Sequence, residues 1–298
     1  LLACIDYVGA YRGKQAGGGR KSVTLRLVFR HGDRTLTHEE VDAALNGEGI
    51  QASRMLADPA LDLVLLFQGP EGQMWWGSGD KGFCDEALIT GSSSIHHALR
   101  CGVAIADELG EDVPGWDAAA DRLAHALRAH PELFTPKTEF SMDWFYPVLT
   151  GVMVGEQARK RIDERWDDFV VDGLGIRCVD HRPWVTGAET CEFVLALEAA
   201  DRHEQALEQF TNMQHLREED GSYWTGLVFA DGKRWPVELS TWTGAVVLLA
   251  ADALSRTTPG NEIFRYVSAH TAQRLRSQPG DPTACVTDET CPTMTSVR

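Results

Sequence analysis

The sequence predicts a mainly α-helical protein, with helix hairpins stacked as a toroid or an arc behind a small N-terminal α+β segment. Two observations support this prediction. From residue 92 onward, segments that are apolar on most sides alternate with segments that have one polar face. Before residue 47, the pattern is that of a β-hairpin followed by a helix.

Charge separates the same two parts. The 298-residue chain has a formal net charge of -16. Residues 1–46 hold seven Lys or Arg and five Asp or Glu, a balance of +2, which leaves 21 against 39, or -18, for the remainder. Because so acidic a main part would repel a phosphate backbone, only the N-terminal segment is suited to lie beside nucleic acid.

Composition narrows the class of protein further. Apolar residues make up 43% of the chain, enough for a substantial core, and no run of eighteen apolar residues predicts a membrane span. The apolar opening LLACIDYVGAYRG lacks the basic flank and cleavage site of a signal peptide, so we expect a cytoplasmic protein. Seven widely spaced cysteines without a C-x-x-C pair favour reduced thiols over disulfides or a zinc ribbon.

The N-terminal segment reads as two strands and a helix. KSVTLRLVFR (21–30) alternates apolar and polar residues, as a strand with one buried face does. LLACIDYVGAY is its predicted partner, with AGGGR as the turn between them. Thr37 and Glu40 have the spacing of a capping box, which predicts a helix start.

This segment, DYVGAYRGKQAGGGRKSVTLRLVFRHGDRTLTHEEVDAAL, resembles the ferredoxin-like anticodon-binding module of the bacterial phenylalanyl-tRNA synthetase β chain. YRGKQ, LRLVF and DRTLTHEEV carry the likeness, which covers the second half of the module and ends near Leu45. The resemblance implies a partial domain over 1–46 and phosphate contacts by Arg12, Lys14 and Arg26. A sheet that lacks a strand leaves an open edge, so we expect this segment either to dock on the main part of the chain or to be poorly ordered. We expect the three charges to be solvated on the strands and the fragment alone not to bind tRNA.

Helix hairpins form the main part of the chain. Four apolar segments begin at residues 94, 143, 188 and 240, at intervals of 49, 45 and 52 residues, and are predicted to form an inner layer. Three segments with a polar face, at 116–130, 156–170 and 202–216, are predicted to form an outer layer. If the inner helices share one direction, every loop that leads into them opens at the same end. Those loops bring carboxylates and tryptophans, which is typical of a ligand site.

SMDWFYPVLTG, RWDDFVVDGLGIRCVDHRPWVTGAETCEFVLALEA and WPVELSTWTGAVVLLAADALSRTTPG resemble an actinobacterial prenyltransferase or squalene-cyclase-like family with an α/α toroid fold. The likeness covers roughly 60–266 and implies an incomplete α/α toroid, because members of that family carry further hairpins ahead of this region. It also implies a prenyltransferase or terpenoid-cyclase-like protein that binds an isoprenoid. The tail over 268–298, rich in Thr, Ser and Pro, is predicted to be disordered.

Four acids are candidate catalytic residues. Glu192, on an apolar inner helix, needs a partner or a chemical task, and Arg177 or Arg182 is available as the partner. Glu189 has capping-box spacing from Thr186, which would explain it by helix initiation alone. The other two are Asp143, a helix cap or a catalyst, and Asp180, which lies in a predicted turn with His181.

Eight residues near the predicted mouth are candidate substrate-binding residues, because aromatic faces and polar tips line ligand sites. They are Trp144, Tyr146, His181, Arg182, Trp184, Tyr223, Trp224 and Trp242. No acid cluster for magnesium and no D-x-D-D run is present, so we expect neither metal nor cofactor.

Alternatives to the prenyltransferase hypothesis remain open. One is a carbohydrate-active enzyme that pairs Asp143 with Glu189 or Glu192 across a groove lined with aromatic residues. Another is a non-catalytic helical-repeat binding protein, or a remnant of the synthetase tRNA-binding module. The sequence therefore predicts a small-molecule substrate, isoprenoid or carbohydrate, and leaves open whether a second copy completes the ring as a homo-oligomer.

Overall fold

The computed structural model describes residues 2–11, 22–29, 58–79, 82–83 and 86–267. The chain divides into two compact units, Leu1–Asp62 and Leu63–Arg298, each described here by itself. The predicted helix start at Thr37 and the predicted tail over 268–298 lie outside the described residues.

The first unit contains an antiparallel hairpin. Strands β1 (Leu2–Tyr11) and β2 (Ser22–Phe29) pair with Tyr7 opposite Leu25, and the register shifts between Tyr7 and Gly9. This confirms the hairpin that the alternation of apolar and polar residues predicts.

The second unit is built from helices joined by short strands and turns. Residues 58–65 are helical (α1). The helices that follow are α2 (Ile89–Glu108), α3 (Pro114–Ala129), α4 (Ser141–Leu149), α5 (Gly155–Asp163), α6 (Trp166–Phe169), α7 (Gly187–Ala199), α8 (His203–Asn212) and α9 (Thr241–Ser255). Short 3-10 turns lie at Pro131–Leu133, Met213–Leu216 and Pro259–Glu262, and residues 263–267 are helical. The predicted mainly helical class is thereby confirmed.

Short antiparallel strands order the loops of the second unit. They are β3 (Ser78–Gly79), β4 (Gly82–Phe83), β5 (Val170–Val171), β6 (Gly175–Ile176), β7 (Trp184–Thr186), β8 (Gly226–Val228) and β9 (Lys233–Arg234). Strands β3 and β4 pair, β5 and β6 pair, and β7, β8 and β9 form a three-stranded sheet in that order. The third sheet ties the loop before α7 to the loop before α9.

Helices α2, α4, α7 and α9 form one layer. Helix α4 packs on α2 and α7, and α7 also packs on α9. Helices α3, α5 and α8 pack on α2, α4 and α7 respectively. Helix α7 is buried from Gly187 to Glu198, which makes it the centre of the core. The first inner helix begins at Ile89, five residues before the apolar stretch that predicts it, because its first turn is polar.

The starts of the four inner helices meet at one end of this layer. The Thr90 hydroxyl near the start of α2 donates to Asp143 near the start of α4. Phe140 and Val179, in the loops before α4 and α7, form a β-bridge. The Gly187 N–H at the start of α7 donates to Thr225, in the segment that leads toward α9. The loops with tryptophans and acids therefore gather at one end, in agreement with the common direction inferred from the sequence.

No described helix is both long and apolar enough to cross a membrane.

Candidate active site

Glu192 is a buried carboxyl group that faces a cavity. It lies in the second turn of α7, and its side chain accepts a hydrogen bond from the Tyr146 hydroxyl on α4 at 3.1 Å. The indole N–H of Trp242, at the start of α9, also donates to it. Burial, together with the negative charge of nearby Glu189, raises the pKa of Glu192 to about 8. Glu192 therefore keeps its proton at neutral pH.

The partners of Glu192 differ from those considered in the sequence. Arg177 instead donates to the Asp168 carbonyl at 2.6 Å and lies over the Phe229 ring, 5.6 Å from its centroid. Arg182 lies in the exposed turn before β7. The interior of the layer thus pairs the acid with a hydroxyl and an indole, groups that an apolar core accommodates at lower desolvation cost than a guanidinium.

Glu189 is buried one turn before Glu192. The predicted capping box is wrong, because the Thr186 side chain makes no cap hydrogen bond at the start of α7. The Glu189 carboxyl instead hydrogen-bonds the Cys178 thiol, in the loop before β7. Burial first, and the charge of Glu189 second, raise the pKa of Cys178 above its usual range. The capping box therefore does not explain Glu189, which still lies in the first turn of α7, where an acid suits the helix dipole.

The cavity beside Glu192 has a volume of about 210 Å³. It lies between the four inner helices and the helical residues 263–267. Its lining residues are Ser94 and His97 from α2, Tyr146, Leu149 and Thr150 from α4, Glu192 and Leu195 from α7, Val246 and Leu249 from α9, and Phe264. This size is below the ~300–1,000 Å³ of sites for drug-sized ligands, so the cavity fits one small ring.

Asp143 lies in a different place. It is buried in the first turn of α4, where its carboxylate accepts from the Thr90 hydroxyl at 2.8 Å and the Lys137 N–H at 3.2 Å. It lines a second cavity, of about 130 Å³, which shares no lining residue with the first. Burial raises the pKa of Asp143, and these hydrogen bonds oppose the rise. The predicted pairing of Asp143 with Glu189 or Glu192 across one groove is thus not what the structure shows.

Asp180 and His181 form the turn that the sequence predicts. The Asp180 carboxylate lies 2.9 Å from an Arg165 nitrogen and 2.9 Å from the His181 ring. The hydrogen bonds from His181 and Arg165 lower the pKa of Asp180. This acid is ionised and paired, which favours a role in shaping the loop over proton transfer.

The predicted aromatic residues divide by exposure. Trp144 is 2% exposed and stacks on Phe169, with ring centroids 5.2 Å apart, as a core residue does. Trp242, 47% exposed, is the tryptophan that contacts Glu192.

The other aromatic candidates lie in the loops. The Trp184 indole donates to the Trp235 carbonyl at 2.9 Å, and the two rings meet edge to face. Tyr223 is buried and donates to Gln214 at 2.9 Å, and Trp224 donates to Glu218. Tyr223 and Trp224 are not among the residues that line the cavity beside Glu192.

Several lining residues were absent from the predicted site. His97 stacks on Phe264, with ring centroids 4.9 Å apart, and its Nε2 lies 3.3 Å from the Ile263 carbonyl. Leu195 follows Glu192 by three residues, and Val246 follows Trp242 by four. Because residues at these spacings share one face of a helix, the sequence could have indicated Leu195 and Val246 as lining residues. Phe264 lay beyond any such signal, because only the return of the chain after α9 brings it to the cavity.

No group of three or more His, Cys, Asp or Glu side chains is placed to hold a metal ion within the parts of the chain that the structure describes.

A buried carboxyl group with a raised pKa beside a small cavity marks this region as a candidate functional site. The chain is 61% identical over 208 residues to the MMP endo-(1,4)-3-O-methyl-alpha-D-mannosidase of Mycolicibacterium hassiacum. That match covers 70% of this chain and 58% of the mannosidase, so the chain spans little more than half of that relative's length. The predicted prenyltransferase or terpenoid-cyclase activity is therefore wrong, and the carbohydrate-active alternative is better supported.

The N-terminal segment has separate relatives. The family described as ferredoxin-fold anticodon binding domain matches residues 1–49. A phenylalanine–tRNA ligase beta subunit from Nocardia farcinica is 54% identical over 44 residues, which are 15% of this chain and 5% of that protein. These matches confirm the resemblance seen in the sequence of this segment.

Proposed function

We propose that residues 63–267 form the helical part of a glycoside hydrolase that cleaves α-(1,4)-linked, 3-O-methylated mannose chains. The observation that carries this proposal is the 61% identity to a mannosidase over 70% of the chain. The layered hairpins also support an α/α toroid as the architecture, since this class of fold includes glycosidases.

Glu192 is the proposed general acid. A glycosidase needs one carboxyl group that stays protonated until it donates to the leaving oxygen. The pKa of Glu192, about 8, meets this requirement at neutral pH. The Tyr146 hydroxyl and the Trp242 indole orient the Glu192 carboxyl, and the charge of Glu189 helps to retain its proton. Replacement of Glu189 by a neutral residue should therefore lower the pKa of Glu192.

The opposing hypothesis of a non-catalytic binding protein predicts that buried acids are paired with cations. Glu198 fits that description, with His203 at 2.6 Å and Arg265 at 2.8 Å. Glu192 does not, because its hydrogen bonds come from neutral groups and it opens onto a cavity. The geometry at Glu192 therefore favours chemistry over passive binding.

The test is hydrolysis of an α-(1,4)-linked 3-O-methylmannose oligosaccharide, followed by the appearance of reducing ends. We expect Glu192→Gln to lower kcat by at least about a hundredfold, because general acid catalysis contributes 10²–10⁴-fold. Glu208→Gln, at an exposed position on the outer helix α8, is the matched control and should leave the rate unchanged. Full activity in Glu192→Gln would refute the assignment, and no hydrolysis by the unmodified chain would refute the proposed activity.

A further inference from the structure

The cavity beside Glu192 is lined by polar and apolar side chains, and the polar ones are Ser94, His97, Tyr146, Thr150 and Glu192. On α7, Glu192 is followed one turn later by Leu195, and on α4, Tyr146 is followed by Leu149. The inner helices share one direction and three residues rise about 4.5 Å along a helix, so both apolar side chains lie about that far along the layer from their polar neighbours.

Helix α9 repeats this order. Trp242 contacts Glu192 at the start of the helix, whereas Val246 and Leu249 line the cavity one and two turns further on. Phe264, stacked on His97, adds an aromatic surface to the lining. We define the apolar wall as Leu149, Leu195, Val246, Leu249 and Phe264. A sugar ring whose hydroxyl groups all need hydrogen bonds would leave some of them unsatisfied against such a wall.

We infer that the apolar wall receives the methyl ether of a methylated hexose while the glycosidic oxygen faces Glu192. This inference rests on the proposed function and adds the residues that select a methylated over an unmethylated sugar. A methyl group on an apolar surface is favourable, whereas the free hydroxyl of an unmethylated ring would lose its hydrogen bonds to water there. The apolar wall thus favours the methylated sugar over the unmethylated one, whereas Glu192 acts on the glycosidic oxygen that both sugars share.

Two pairs of neighbouring residues on α9 provide matched variants. Val246 and Val247 are 6% and 7% exposed, and only Val246 lines the cavity. Leu249 and Leu248 are 46% and 72% exposed, and only Leu249 lines it. Val246→Thr and Leu249→Gln place polar atoms in the wall at nearly constant volume, whereas Val247→Thr and Leu248→Gln make the same chemical changes outside it.

The experiment measures binding of methyl 3-O-methyl-α-mannoside and methyl α-mannoside to the full chain by ligand-observed NMR. We expect the unmodified chain to prefer the methylated sugar by roughly tenfold, the lower end of what one methyl-sized group supplies in an apolar pocket. Val246→Thr and Leu249→Gln should each remove most of this preference, and the two control variants should keep it. Equal binding of both sugars, binding of neither, or an equal loss in lining and control variants would each overturn the inference.

Hydrolysis assays on methylated and unmethylated oligosaccharides separate this inference from the proposed function. Preferential binding without hydrolysis would leave the apolar wall in place and refute the proposed activity. Hydrolysis at equal kcat/KM for both substrates would support the activity and refute the wall as its selector.

Discussion

Residue environment decides what each buried acid can do in this protein. Glu192 and Asp143 are 8% and 3% exposed, yet their partners differ in kind. The neighbours of Glu192 include the charge of Glu189, which favours the protonated form. Asp143 accepts hydrogen bonds from Thr90 and from the Lys137 backbone, which oppose the effect of its burial. One acid is therefore suited to donate a proton, and the other to hold two elements together.

Glu192 should make stability depend on pH. Between its ordinary pKa near 4.5 and its folded value of about 8, the folded protein holds a proton that the unfolded chain has lost. Stability from this group is full below pH 4.5 and falls as the pH rises toward 8, by about 1.4 kcal/mol per pH unit at most. Glu192→Gln should flatten this decline in urea unfolding at pH 5 and pH 8. Parallel curves for the two proteins would show that the Glu192 pKa is ordinary.

Asp143→Asn should destabilise the fold. The Asp143 carboxylate accepts hydrogen bonds from the Thr90 hydroxyl and the Lys137 N–H. Asparagine has one acceptor oxygen for these two donors and no charge, so the Thr90 hydroxyl would have to turn and accept, and both hydrogen bonds would be weaker. We expect a loss of about 1–3 kcal/mol in the free energy of unfolding, measured by urea titration. Asp167→Asn, at an exposed position on α6, is the control. A stable but inactive Asp143→Asn would instead mark Asp143 as catalytic.

At the scale of elements, close helix contacts position the site. A Cβ added to Gly187 at the start of α7 would lie 2.6 Å from the Thr243 methyl carbon on α9. This contact lies beside Trp242, whose indole donates to Glu192. Gly187 therefore allows α7 and α9 to approach closely enough for the Trp242 indole to reach Glu192.

Gly187→Ala should cost about 1–3 kcal/mol of stability, as overpacking of a core does, and should lower activity by displacing Trp242. Gly244→Ala is the matched control. Gly244 lies on α9 next to Thr243, and a Cβ added there would have no packing neighbour within 4 Å. That control should be neutral or more stable by up to about 1 kcal/mol, because alanine favours helix over glycine. Circular dichroism melts of both variants measure the difference, and equal melting temperatures would contradict the contact.

At the scale of the whole molecule, the two parts of the chain have relatives with unrelated tasks. Residues 1–49 match an anticodon-binding family, whereas the longer match is to a mannosidase. The balance of +2 over residues 1–46 is small beside the -18 of the remainder. We therefore expect the charge of the chain to oppose stable contact with a nucleic acid.

Residues 1–46 alone are predicted not to bind tRNA. So small a net positive charge supports few phosphate contacts, and each such contact carries a measurable dependence on salt. Gel shifts with tRNA across a salt series test this, with a complete anticodon-binding domain as the positive control. A shift that weakens steeply as salt increases would contradict the prediction.

The sequence alone predicted the inner and outer helical segments and their order, because hydrophobic periodicity is a local property that does not depend on neighbours. It did not predict the short strands β3 to β9 or the break between α5 and α6 within 156–170. The alternation in KSVTLRLVFR predicted β2, and the mostly apolar AETCEFVLALEAA predicted the buried helix α7. It also placed Glu189, Glu192 and Trp242 among the candidate site residues.

Only the tertiary structure decided which candidates meet. Contacts between residues far apart in the chain decide three features of the site. They separate Asp143 from Glu192, pair Asp180 with Arg165, and bring Phe264 to the cavity. The burial that raises the pKa of Glu192 has the same origin, because it arises only when α4, α7 and α9 pack together. The nearby charge of Glu189, three residues before Glu192 on α7, follows from the helix alone. Periodicity reports which face of a helix is buried, whereas chemistry depends on what lies opposite that face.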